Sequence, residues 1–201
     1  MGKPRTWGLA AVGGIVVAVA LVVVGQVDPN DNLNPWALTV SDFAVSDRGG
    51  VTDVAMGVMA AVTVAVLVGL RRAGIRVGAW ATGLLALWAG GLLLAAAVPT
   101  DEPGLPLTAG GHVHRYASVA AFLALPIGAW VLAKRLPGVV AARRVRGLAA
   151  VSLACASAMV WSAFPGDRAL IGLAERLLLL AEVALLAAVA APLLGRHPQR
   201  T

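Results

Sequence analysis

The segment PTDEPGLPLTAGGHVHR, residues 99–115, separates two long apolar runs and decides how the chain is divided. Its prolines at positions 99, 103 and 106 lack a backbone donor, and its glycines carry the largest entropic cost of ordering. Such a segment is not the interior of a helix. Because apolar runs flank it on both sides, the pattern predicts a polar loop that joins two membrane spans.

The composition of the whole chain agrees with this interpretation. Hydrophobic residues make up 59% of the 201 residues and charged residues 13%, whereas roughly a quarter of the residues in soluble domains are charged. Six apolar runs reach the length of about 20 residues that spans a bilayer, and no alternating barrel pattern occurs. The sequence therefore predicts an all-α polytopic membrane protein, a single domain over residues 1–201, with helices at about 7–27, 51–70, 78–98, 112–133, 148–164 and 169–194.

The distribution of positive charge predicts the orientation. Most of the 16 Lys and Arg residues lie near the two termini, in residues 71–76 and in residues 134–146. By the positive-inside rule, both termini are expected in the cytoplasm. The net charge of +6 is spread over short clusters between apolar runs, so it marks topology, and nucleic acid is excluded as a partner.

A polar layer is expected on the outer side, where helices 2, 4 and 6 begin. Arg48, Arg115 and Arg168 each lie near one of these three helix starts. One interpretation is that they form ion pairs and caps that stabilise the helical hairpins. The other is a site for an anionic headgroup, because helix N-termini and arginine forks both match phosphate. Both interpretations stay open at this point.

Two histidines and an aspartate in this layer are candidates for chemistry. His112 and His114 are two residues apart, so on a regular helix they point to nearly opposite sides. With Asp101 they would supply at most three ligands, and the pattern predicts no bound metal, with His112 and His114 as the candidate ligands if one were held. No second intramembrane histidine is present for haem, and no cofactor is expected. Alternatively, the histidines cap helix 4 or hydrogen-bond the loop.

Helix 6 carries acidic side chains inside an apolar run. Arg168, Glu175 and Glu182 are spaced by seven residues, so they are expected to form one stripe along the helix. Glu182 falls near the middle of the span, where a carboxylate is costly and must face the bundle or a wet cavity, either neutralised or paired. It is expected either to hydrogen-bond a Ser, Thr or Trp of a neighbouring helix or to serve in a proton or headgroup relay.

Three segments together resemble a known family. They are NPWALTVSD at residues 34–42, PTDEPG followed by GGHVHRYAS within residues 99–118, and GLAERLLLLAE at residues 172–182. In these segments the chain resembles DUF998, a family of bacterial six-helix membrane proteins common in actinobacteria. The resemblance implies a multi-pass protein of the bacterial cell membrane but no particular activity. It also implies a functional set of seven residues, namely Ser41, Asp42, Asp101, His112, His114, Glu175 and Arg176.

These observations predict a polar, extracytoplasmic-facing pocket that binds the headgroup of a lipid or another amphiphile. The predicted ligand-binding residues are those seven together with Arg115 and Glu182. One alternative is a hydrolase acting on an amphiphile, in which His112 or His114 is the general base and Asp101 or Asp42 orients it. Another is an accessory subunit of a larger membrane complex. Membrane lipid is the expected partner, and a protein partner or a homo-oligomer stays open.

Overall fold

A computed structural model describes residues 4–27, 34–45 and 49–195 of the chain. Within these residues the fold is all-α, with no strand, and each of six helices is long and apolar enough to cross a membrane. This confirms the predicted fold class. The helices are α1 (Pro4–Gln26), α2 (Gly49–Arg72), α3 (Ala79–Ala97), α4 (Ala109–Ala133), α5 (Val139–Ala163) and α6 (Ile171–Ala190).

Four helices, α1, α2, α4 and α5, begin earlier than the apolar runs predicted, α5 by the most. α5 begins at Val139 rather than near residue 148, because Arg143, Arg144 and Arg146 continue the helix although they interrupt the apolar run. Arginine is a good helix former, and its long stem can lie along apolar surface. α4 begins at Ala109 rather than near residue 112, since the side chain of Thr108 accepts a hydrogen bond from the Gly111 N–H at 3.2 Å and caps the helix.

The bundle is built from helical hairpins. α1 with α2, α3 with α4 and α5 with α6 form the most extensive helix pairs, as short connections between antiparallel spans favour. α6 also contacts α1, α2 and α4, so it packs against both of the other hairpins. We call the end where α2, α4 and α6 begin the loop end, and the opposite end the terminal end.

Small residues bring three helices together at the terminal end. A Cβ atom added at Gly8 of α1 would lie 2.9 Å from the Leu193 side chain, and one added at Gly69 of α2 would lie 2.7 Å from it. Leu193 follows α6 in a short 3-10 helix, Ala191–Leu193, and is buried. Such close backbone approach is typical of glycine in membrane bundles. The first and last described residues therefore lie at the same end, and its assignment to the cytoplasm stays a prediction.

The orientation can be tested with single cysteines in a Cys155→Ser background, since Cys155 is the only cysteine of the chain. Glu102 at the loop end and Pro137 at the terminal end are both exposed. We expect a membrane-impermeant maleimide to label Glu102→Cys in intact cells and to label Pro137→Cys only after permeabilisation. Labelling of Pro137→Cys in intact cells would reverse the orientation.

Candidate functional site

A cavity with a volume of about 420 Å³ lies on the loop-end half of the bundle, within the described residues. This volume is within the range of small-molecule sites, about 300–1,000 Å³. Its wall is formed by side chains of α1, α2, α3, α4 and α6. Residues 40 and 41 also line it. Most of the wall is apolar. The polar residues that line it are Gln26, Ser41, Thr52, His114, Ser118, Glu175, Arg176 and Glu182.

The cavity opens sideways, between α1 and α6. Val23 of α1 and Leu180 of α6 both line the cavity, yet they are 58% and 62% exposed on the outside of the bundle. A side chain that borders both the cavity and the outer surface marks the mouth. Both helices are long and apolar enough to span a bilayer.

Arg176 attaches the segment of residues 34–45 to the bundle. Its Nη1 donates to the carbonyl oxygens of Pro35 at 2.6 Å and Leu38 at 2.8 Å, and to that of Gly172 at 3.0 Å. Its Nη2 donates to Oε1 of Gln26 at the end of α1. Both terminal nitrogens of the guanidinium thus donate to protein acceptors. The ligand-binding role predicted for Arg176 would compete with these contacts.

Glu175 and a short turn complete this attachment. The carboxylate of Glu175 is buried and accepts a hydrogen bond from the backbone N–H of Val40. Thr39 N–H donates to Oδ2 of Asp42 at 2.8 Å, and Asp42 N–H donates to Oγ1 of Thr39 at 3.1 Å. This reciprocal pair is a capping box, and it precedes the 3-10 helix Asp42–Val45. The T-x-x-D spacing was the signal in the sequence that would have predicted it.

Asp42 also holds the connection before α6. Its Oδ2 lies 3.1 Å from Nη2 of Arg168 in an ion pair. Arg168 has a left-handed backbone conformation with φ of 60°, so it is not part of α6, which begins at Ile171. The predicted stripe is therefore confined to Glu175 and Glu182. Of the other two arginines in the expected layer, Arg115 is exposed and Arg48 lies outside the described residues.

The structure does not join Asp101, His112 and His114 into one cluster. Asp101 accepts hydrogen bonds from the N–H of Thr108 at 2.8 Å and from its hydroxyl at 2.9 Å, which closes the loop before α4. His112 is exposed, and its ring stacks on Tyr116 with 6.2 Å between the ring centroids. Among the described residues, no hydrogen bond or ion pair connects Asp101 with either histidine.

His114 belongs to the cavity wall and ties α4 to α3. It is 5% exposed, and its Nδ1 lies 2.9 Å from the carbonyl oxygen of Ala95 and 3.0 Å from that of Val98. Two carbonyl acceptors require a proton on Nδ1, so in the neutral ring Nε2 is an acceptor. The described residues contain no group of three or more His, Cys, Asp or Glu side chains that could hold a metal ion.

Glu182 lies deeper in the cavity and is 1% exposed. Neither of its carboxylate oxygens has a hydrogen-bond partner among the described residues. Trp88 of α3 also lines the cavity, but its indole N–H donates to Oγ1 of Thr63 at 3.0 Å. Thr63 in turn donates to the carbonyl oxygen of Met59 at 2.9 Å. The structural role expected for Glu182 is thus not found in the described part of the chain.

Two further polar atoms in this wall have no partner, and the sequence did not single out their residues. They are Nε2 of Gln26 and Oγ1 of Thr52, both buried and both unpaired within the described residues. Two sequence features could have identified these residues: a glutamine at the end of an otherwise apolar helix, and a threonine in the first turn of the next helix. Of the nine predicted ligand-binding residues, the cavity collects Ser41, His114, Glu175, Arg176 and Glu182.

Fold and cavity together define a helical protein of the multi-pass membrane class. Residues 11–192 match the DUF998 family model, which is described as a protein of unknown function, and the chain therefore belongs to this family. The match confirms the resemblance found in the sequence. Neither a curated protein nor a solved structure matches the chain.

Replacing Arg176 tests whether this side chain holds the segment of residues 34–45 against the bundle. We expect Arg176→Ala to lower the free energy of unfolding by about 2–3 kcal/mol, because hydrogen bonds from a charged donor to partly buried carbonyl groups are lost. The matched control Arg115→Ala removes an exposed arginine and should change stability by about 0.5 kcal/mol or less. Thermal unfolding in the same detergent measures both. Equal stability of the two variants would show that Arg176 does not hold this segment.

Gly172 provides an independent test of the same contact. A Cβ atom at Gly172 would overlap the carbonyl oxygens of Pro35 and Leu38, whereas one at Gly83 of α3 would meet nothing within 4 Å. Gly172→Ala should therefore displace the segment of residues 34–45 and increase proteolysis within it. Gly83→Ala should leave the cleavage rate unchanged. Equal cleavage in both variants would place this segment away from the start of α6.

Proposed function

We propose that the protein binds an amphiphilic molecule that enters from the membrane through the gap between α1 and α6. The observation that carries this proposal is a cavity bordered by exposed side chains of two helices that are each long enough to span a bilayer. Its wall combines apolar side chains with buried polar atoms that have no partner within the described residues. An apolar wall matches a hydrocarbon chain, and a few polar atoms orient the ligand.

Position along the cavity suggests where the outer polar part of the ligand would lie. Gln26, Ser41 and Thr52 line the cavity near the loop end. Nε2 of Gln26 and Oγ1 of Thr52 have no hydrogen-bond partner within the described residues. Arg176 and Glu175 are less suited to direct contact because they hold the segment of residues 34–45. In this proposal they support the roof of the site rather than bind the headgroup.

The two alternatives receive less support from the contacts of the described residues. A hydrolase built on Asp101, His112 and His114 needs a base paired with its orienting group, and these side chains bind elsewhere. An accessory subunit could dock through outer charges, but of these Asp42 pairs with Arg168 and Asp101 binds Thr108. The exposed Arg115 and Glu102 offer it support. The cavity therefore supports amphiphile binding best.

A cavity-filling substitution tests the proposal. The probe is a single-chain fatty alcohol with a photoreactive diazirine, added to purified protein in lipid nanodiscs. We expect it to label cavity-wall peptides, and we expect Val22→Trp to reduce this labelling at least about fivefold, about 1 kcal/mol in binding free energy. Val22 lines the cavity, whereas Val16 on the same helix is 62% exposed and does not, so Val16→Trp is the control.

The outcome that contradicts the proposal is even labelling over all outward-facing helix surfaces, unchanged by Val22→Trp in a protein that unfolds at the wild-type temperature. Labelling that Val16→Trp reduces as much as Val22→Trp would also contradict it, because the probe would then occupy the outer surface of α1.

A further inference from the structure

We infer that the ligand of this cavity is a lipophilic amine, whose ammonium group binds the carboxylate of Glu182. The inference rests on the proposed function and names the chemical class of the ligand. Glu182 lies seven residues beyond Glu175 on α6, so the two carboxylates are about 10 Å apart along the helix axis. The cavity thus has two polar levels, one at the loop end and one near the middle of the span.

Among the described residues, no Lys or Arg side chain pairs with the carboxylate of Glu182 at the inner polar level. Glu182 is 1% exposed and both of its oxygens are unpaired within the described residues. Arg176 is the cationic side chain of Lys or Arg type in the cavity wall, and its Nη1 and Nη2 atoms already donate to Pro35, Leu38, Gly172 and Gln26. A buried carboxylate without a partner is costly, and a cation brought by the ligand would offset that cost.

The hydrogen-bonding capacity of the wall also favours a donor on the ligand. Glu182 offers two free acceptor oxygens, and His114, whose Nδ1 faces two carbonyl groups, offers an acceptor at Nε2 in its neutral form. The indole of Trp88 already donates to Thr63. A carboxylate or phosphate group beside Glu182 would bring more acceptors and more negative charge to it, so the inner polar level selects against an anion.

The remainder of the ligand is defined by the apolar wall. Met59, Phe122 and Val183 line the same cavity as Glu182, and Val23 and Leu180 border its mouth. A hydrocarbon chain attached to the ammonium group would therefore lie against these side chains and reach the gap between α1 and α6. An unbranched amine with a single alkyl chain meets both requirements.

Three probes of equal chain length separate charge from hydrophobicity: N,N-dimethyldodecylamine, dodecanol and dodecanoate. Their affinities are measured by competition against the diazirine alcohol in zwitterionic nanodiscs, with empty nanodiscs correcting for partition. We expect the amine to bind at least about tenfold more tightly than the alcohol, which is about 1.4 kcal/mol, and dodecanoate to bind most weakly. Glu182→Gln keeps the size of the side chain and should abolish the preference for the amine.

The matched control is Glu102→Gln, which removes an exposed carboxylate outside the cavity and should preserve the preference. A measurement on the wild-type protein avoids dependence on the folding of Glu182→Gln. There, the tertiary amine should protect Glu182 from modification by dicyclohexylcarbodiimide, and dodecanol at equal occupancy should protect it less.

Failure of the proposed function and failure of the inference about Glu182 give different results. If Val22→Trp does not reduce the binding of any probe, the cavity is not the site and the proposed function fails. If all three probes compete at the cavity with equal affinity, or if Glu182→Gln retains the preference for the amine, the site stands and the inference about Glu182 is overturned.

Discussion

Backbone polar groups within or next to a bilayer need partners from the protein, because lipid offers none. The segment of residues 34–45 is not a regular helix, and the Arg176 guanidinium supplies donors to its carbonyl groups at positions 35 and 38. Glu175 accepts from the N–H of Val40 in the same segment. An adjacent cation and anion on α6 thus satisfy both kinds of backbone group, and the segment closes the cavity at the loop end.

The cavity follows from how α6 is held at its two ends. At the terminal end, Gly8 and Gly69 allow the backbones of α1 and α2 to approach Leu193. At the loop end, Arg176 bridges to Gln26 of α1 through its side chain, which needs more space than a glycine contact. The two helices therefore leave a gap that Val23 and Leu180 border. A side entrance of this kind gives access to molecules that already reside in the bilayer.

Polar residues in this bundle divide into those that the fold uses and those that it leaves free. Asp42, Asp101, Arg168 and Arg176 are joined to other groups of the chain and hold loops in place. Glu182 is not, although burying it without a partner costs stability. Within the described residues, Nε2 of Gln26 and Oγ1 of Thr52 are also unpaired, and both residues line the same cavity as Glu182, so ligand binding supplies a reason to keep these groups there.

The sequence by itself determined the class, the number of spans and the depth of Glu182, because these depend on local composition and on the rise per helical residue. It also placed Glu175 and Glu182 on one face of α6 through their spacing. Only the tertiary structure decided their roles. The acceptors of Arg176 outside its own helix lie 138 to 150 residues away in the chain, and no local pattern encodes such contacts. Likewise, Asp101 and His114 are close in sequence, but within the described residues no hydrogen bond or ion pair joins them. Asp101 accepts from the hydroxyl of Thr108, and Nδ1 of His114 binds the carbonyl oxygen of Ala95. That Glu182 has no hydrogen-bond partner within the described residues is likewise decided by how the side chains of the bundle pack.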